Sequence, residues 1–346
     1  MRITSALTAT VAAGAVALLA GCSGSQGSSP AVPGSVGPSQ VHQHAHMDLV
    51  RSGVAPSFWG DLRFGRSKPH HGKVPPGLPR KVFVSDFGTG AVEILNQQPL
   101  WTFLTSITSG LNGPDGDTLD NNVNLYVANY AGIDIQQYAK PWSSPVNVYT
   151  YSGGMADPVD VVVDSSRNVY EADYNLGGSG FVNEYAQQTN TVMNTCSPGG
   201  AVEGVAVDSA GDVFVAYNAS SGGGKIAEYV GGLSGCNETV LGVSLVFAGG
   251  MAIDRNGNLI VCDQLGPAVD VIDPPYTSIS GTLGSGYIDP FHVTINKRNN
   301  KVLVADVGAA NVQVLDYPSG SNIITLNSSN GLTDPASAVF SLNAVY

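Results

Sequence analysis

Little in this chain carries charge. Asp, Glu, Lys and Arg make up 12% of its 346 residues, where a soluble domain usually has about a quarter. Basic residues are the scarcer kind, 15 against 27 acidic, giving a formal net charge of −12. A chain so poor in positive charge repels a phosphate backbone, which excludes nucleic acid as a partner. Histidine is equally scarce. Five of the six (His42, His44, His46, His70 and His71) precede residue 80, leaving only His292 beyond it. A single imidazole cannot build a multi-histidine zinc centre and argues against a Ser-His-Asp or Cys-His device. His-Glu-x-x-His, the Walker loop and the nucleophile elbow are all missing. The leading apolar run, from Ala6 to Ala20, has about 15 residues, short of the roughly 20 that a membrane span needs.

Glycine, by contrast, is abundant at 43 residues, which suits short strands and tight turns. The stretch DRNGNLIVCD (254–263) has near copies in DSSRNVYEAD (164–173), DSAGDVFVAY (208–217) and NKRNNKVLVAD (296–306). The strand that ends each copy occurs six times, closing on Asp86, Asn129, Asp173, Tyr217, Asp263 and Asp306, at intervals of 43, 44, 44, 46 and 43. A strand precedes each turn (DVVVD, GVAVD, GMAID, HVTIN), and a third follows (AVEILN, FVNEYA, KIAEYV, NVQVLDY) with a more variable fourth. Four short strands per repeat of this length predict propeller blades, hence an all-β, six-bladed β-propeller. The Asp-x-x-Gly-Asn phrase is scaffold on this reading: a turn between the first two strands, with Gly211, Gly257 or Asn299 supplying a positive φ. The first blade has no first strand of its own. The last segment, DPASAVFSLNAVY, matches one, so residues 336–346 are expected to close the ring against Phe83 and Val84.

The N-terminus has a separate character. Arg2 followed by the apolar run fits a secretory signal, and Leu19-Ala20-Gly21-Cys22 resembles the bacterial lipobox. That resemblance implies a signal peptide over 1–21, lipidation of Cys22, and export to the cell envelope, at the outer membrane or cell surface. Acyl chains would supply the membrane contact. Residues 22–79, rich in Ser, Gly, Pro and His, read as a flexible tether. Its alternating histidines are able to capture a metal, although a polar linker is the plainer reading. The propeller then occupies 80–346, with nine basic against 25 acidic residues. Cys262 lies inside an apolar strand and is expected buried and free. Cys196 and Cys236 fall in outer-strand regions of adjacent repeats, where a disulfide or two free thiols are both open.

The period, the Pro-x-x-Val-x-x-Asp opening of each unit and the YVAD-like strand resemble NHL repeats, and more widely the six-bladed propellers of the NHL and gluconolactonase-like (SMP-30) group. In such a ring, first strands begin and second strands end on one face. Asp115, Asp160, Glu203 and His292 collect there, with Phe87, Tyr130 and Tyr174 one step beyond the second strands. These residues are the candidate ligand-binding set: an acidic mouth with an aromatic shelf for a protein, small-molecule or carbohydrate ligand. Asp160, Glu203 and His292 are the candidate metal set, for a hard cation such as Ca²⁺. The plainer alternative has the strand-end Asp residues bonding loop N–H groups and the aromatics wedged between blades. The lactonase-like branch holds a divalent metal on Glu, Asn and Asp. Here its Pro-Asn-Gly opening is replaced by Pro158-Val159-Asp160 and Pro290-Phe291-His292, and its Glu-Gly-Pro motif is missing. Two functions follow as expectations. One is a non-enzymatic, envelope-anchored binding module; the other is a divalent-metal-dependent hydrolase or lactonase.

Overall fold

A computed structural model describes residues 81–97, 101–175 and 179–341. The signal segment, Cys22 and the histidine-bearing tether lie outside the described residues. Strands β1 (Lys81–Asp86), β2 (Ala91–Asn96) and β3 (Phe103–Ile107) form the first sheet together with the last strand of the chain, β24 (Pro335–Ser341). The intervening strands make five more four-stranded antiparallel sheets, each from consecutive strands: β4–β7 (114–149), β8–β11 (158–196), β12–β15 (200–240), β16–β19 (248–282) and β20–β23 (290–326). The innermost strands follow one another around the axis, β24 beside β4, β4 beside β8, and so on until β20 meets β24. The protein is a six-bladed β-propeller, as the repeat predicts.

Closure is by main chain. Val84 pairs with Ala338, Phe83 with Val339 and Val82 with Phe340. The seam is reinforced by Asp86, whose carboxylate accepts the N–H groups of Thr89, Thr333 and Asp334. This staple recurs. Asp173 accepts from Ala156 and Asp157, Asp263 from Val246 and Phe247, and Asp306 from Ile288 and Asp289. In these four blades the second strand therefore ends on a side chain that holds the loop leading into the first strand of its own blade. That satisfies N–H groups that would otherwise be buried without a partner.

The repeated turn has the same economy. Asp254 Oδ1 accepts the N–H groups of Asn256 and Asn258. The residue before the closing Asn or Asp takes a positive φ in every copy: Val123 64°, Arg167 68°, Gly211 92°, Gly257 84° and Asn299 57°. Between blades the strand faces interlock. Tyr149, which packs on Tyr126 of its own blade at 6.2 Å, meets Tyr185 of the third blade at a centroid distance of 5.5 Å, while Phe83 of the first blade meets Trp142 of the second at 5.1 Å. Cys196 and Cys236 form a disulfide, tying the outer strand of the third blade to the fourth. Cys262 is buried and free, as expected.

Candidate functional site

Every inner strand carries a β-bulge near its start. Pro158 pairs with Asp173 and Asp160 with Ala172, leaving Val159 as the extra residue. Likewise Glu203 is extra between Val202 and Gly204, and Phe291 between Pro290 and His292. The bulge sorts the residues chosen from the sequence into two levels. Asp115 and Glu203 stand at the bulge level with Val159, Gly249, Phe291 and Ala336. Asp160 and His292 stand one step further along, in a ring that runs Ser337, Gly116, Asp160, Gly204, Gly250, His292 from the first blade to the sixth. Bulges re-aim side chains, and no spacing in the sequence reveals this one.

The deeper level is a polar strut. Asp160 and His292 belong to the third and sixth blades, opposite each other in the ring, and His292 Nε2 lies 2.9 Å from Asp160 Oδ1. Such a span is open only because the other blades give way. A Cβ on Gly250 would lie 2.3 Å from His292 Cδ2, and one on Gly116 would lie 2.8 Å from Asp160 Oδ1. Asp160 also accepts the N–H groups of Val161 (2.7 Å) and Val205 (2.9 Å). On the other side of the imidazole, Nδ1 is 3.2 Å from Ser337 Oγ, and that hydroxyl donates to Asp117 Oδ1 at 2.8 Å. When Asp117 is ionised, Ser337's one proton goes to Asp117 and Asp160 acts as an acceptor, so both ring nitrogens of His292 donate and the ring is an imidazolium. Burial opposes that charge, but Asp160, joined by Asp117, raises the proton affinity of His292 above the ordinary. Asp117 is pushed up to about 7, chiefly by burial. All four side chains are under 6% exposed.

Asp117 is the member of this network that the candidate set lacks, and the sequence carries a signal for it. Its column in the other blades holds Val161, Val205, Met251, Val293 and Ala338, so a carboxylate there is the odd residue out. Ser337 completes a Ser-His-Asp connectivity that a lone histidine made unexpected. Its side chain is fully buried, so no substrate reaches its oxygen in this structure.

The upper level is drier than an open acidic mouth. Tyr130 and Tyr174 are buried at 2% and 8% exposure, in one apolar cluster with Val159, Tyr217, Phe247, Phe291 and Ala336. Phe87 is half-buried and packs edge-on against Tyr130 at 6.1 Å. The expected aromatic shelf is therefore corrected for Tyr130 and Tyr174: their rings wedge between blades rather than stand free. Asp115 and Glu203 intrude into this apolar layer. Burial, and after it the charges of Asp160, Asp334 and Asp117, holds Asp115 well above the usual carboxylate range. Burial, then Asp115 and Asp289, does the same for Glu203. Neither oxygen of Asp115 has a well-formed hydrogen bond; the Gly116 N–H beside it gives only weak relief. The metal set Asp160, Glu203 and His292 does not assemble. Two of its members are spent on each other, the third lies at the other level, and among the described residues no three His, Cys, Asp or Glu side chains are placed to hold a metal ion.

No family model matches the sequence, and no curated protein does either. Solved structures do match. A chain from a crystal structure of a nidogen/laminin complex superposes with a TM-score of 0.61 at 15% identity, covering 77% of this chain and 100% of its own. A protein of unknown function from Bacteroides caccae superposes with a TM-score of 0.57 at 11% identity, covering 76% and 99%. At such identities the likeness is one of fold, and that fold is the six-bladed β-propeller.

Proposed function

We propose that this protein is a non-enzymatic binding module of NHL/SMP-30-like kind, anchored in the cell envelope through Cys22. Its propeller takes a protein or carbohydrate partner at the face where the inner strands begin. The observation that carries this reading is Asp115, a carboxyl group with no exposed surface and no well-formed hydrogen bond to either oxygen, steadied only weakly by the neighbouring Gly116 N–H and lying close to Glu203 and Asp334. A buried polar group without a partner is costly, and a ligand that supplies one relieves that cost. The half-buried side chains of Phe87, Ala131, Leu265 and Val307 border the same cluster and offer apolar contact. A crystal structure of a nidogen/laminin complex is among the similar folds, which lends the protein-partner reading modest support.

The alternative, a divalent-metal-dependent hydrolase or lactonase, asks Asp160, Glu203 and His292 to share one cation. The Asp160–His292 pairing makes it the lesser reading. The test is an array of glycans and envelope proteins probed with the full-length chain and with its Asp115→Asn variant. Binding that weakens at least tenfold in the variant is expected. Turnover of lactones or esters that Asp160→Ala and Glu203→Ala both abolish would replace this reading with the hydrolase. The anchor is read on the same material: Cys22→Ser should move the protein from the detergent phase to the aqueous phase, and an unchanged partition would remove the lipid from the proposal.

A further inference from the structure

The strut divides the propeller axis. On its far side, towards the ends of the inner strands, the channel opens into a pocket of ≈ 190 Å³. One apolar residue from each blade stands at the same register around it: Phe340, Leu119, Val163, Val207, Ile253 and Ile295. The inner end is lined by Asp117 and His292, the outer rim by Asp120, Asn296 and Lys297. The rim groups are already engaged. Asp120 accepts from Asn122, Asn124 and Tyr126, Asn296 bonds Asn300, and Lys297 donates to Asn121.

The inner end is not fully engaged. Asp117 is 1% exposed, and Ser337 occupies its Oδ1 while Oδ2 makes no hydrogen bond. Ser85 lies beside this carboxyl and contacts it weakly, lowering its proton affinity, but the contact falls short of full hydrogen-bond geometry, so Ser85 Oγ and Asp117 Oδ2 both keep capacity for a ligand. The charges there are uneven as well. Once Asp117 has lost its proton, near pH 7, one imidazolium lies between two carboxylates, Asp160 and Asp117, and the remaining walls are aliphatic. A positive donor brought in from the pocket would balance the second carboxylate, and a short hydrocarbon body would cover the walls. Size sets the limit: an apolar cavity of about 150 Å³ accepts benzene, so this one takes a molecule only slightly larger.

We infer that this far-side pocket is a second binding site, separate from the mouth, for a small primary amine with a compact apolar body, its ammonium directed at Asp117. The site commits to an amine rather than an acid because the group at its inner end is a carboxylate. An acid would place two carboxyl groups together with no free cation between them, since His292 is held by Asp160 and Ser337.

The experiment is calorimetry and thermal shift on the full-length chain with benzylamine as the probe and toluene as its uncharged counterpart. Benzylamine is expected to bind at least tenfold more tightly than toluene. Asp117→Asn should erase that preference while leaving toluene binding in place, which also shows that the variant folds. Val207→Trp, which fills the pocket from a partly exposed position, should abolish binding of both. Equal affinity for the two probes, no binding at millimolar concentration, or a preference for benzylamine that survives Asp117→Asn overturns the inference. So does a preference lost in Asp115→Asn but kept in Asp117→Asn, which would move the amine to the mouth and leave the proposed function standing.

Discussion

His292 reaches across the propeller axis to Asp160, and the cost of that reach is distributed over its neighbours. Gly250 leaves room for the imidazole and Gly116 for the carboxylate. Removing one partner of a buried ion pair leaves the other without compensation, and typically costs about 3–5 kcal/mol. His292→Ala is therefore expected to destabilise the protein by about that amount. The double variant His292→Ala/Asp160→Ala should cost less than the two single changes added together, because the second removes a charge already stranded by the first. Urea unfolding of the four proteins measures the difference, and strict additivity would show that the pair is not coupled. The residues themselves were partly legible in the sequence. Asp160 and His292 stand out against small neighbours at their position. Asp117 stands out once the repeats are aligned on their turn residues, three positions before Asp120, where the other blades have Val161, Val205, Met251 and Val293; the bulge that sets which level each side chain reaches is a backbone feature that the side-chain pattern does not encode.

At the scale of the strand and its turn, legibility was far better. Each blade restates one turn, and that turn needs an Asp or Asn acceptor and a left-handed residue at fixed offsets, so chemistry and spacing repeat together. Val123 and Arg167 hold that left-handed position without being Gly or Asn, which is why the turn in the second and third blades reads less clearly than in the fifth. The aromatic shelf failed as an expectation for a related reason. Whether Tyr130 and Tyr174 face solvent depends on the blade beside them, not on their own strand. The disulfide is the element-level feature the sequence left open, and it has a measurable consequence. It closes a loop with a sequence separation of 40, for which the chain-entropy account gives about 3–4 kcal/mol. Cys236→Ser should lower the guanidinium midpoint accordingly, and reductant should do the same to the native chain while leaving the variant unmoved. Cys262, being buried, should react with a thiol reagent only after unfolding.

Over the whole molecule most of the acids that burial shifts act in one direction. Asp117 and Asp289 are pushed up to about 7, and Asp173 and Asp270 to about 6, each chiefly by burial. Asp115, Glu203 and Glu171 are raised well above their ordinary values for the same leading reason. Each has a higher proton affinity in the folded state than in the unfolded chain. Its contribution is therefore whole below an unfolded value of about 4 and is lost as pH rises through the folded value. His292, raised by Asp160 against its burial, has the same sign: its contribution is present below about 6.5 and is lost above its folded value. The net charge of −12 adds self-repulsion that also grows with pH. Asp254 opposes the trend. Against its burial, the Asn258 N–H and the Tyr317 hydroxyl hold it below the usual range, so its contribution fails only in stronger acid. Stability should accordingly peak on the acid side of neutrality, with Tm higher at pH 5 than at pH 8 at constant ionic strength. Asp117→Asn removes a group whose proton leaves near 7, and should flatten the decline between pH 6 and 8. A Tm that climbs with pH over that interval would mean that the buried acids give up their protons as readily in the folded protein as in the unfolded chain, and the raised proton affinities along the axis would have to be abandoned.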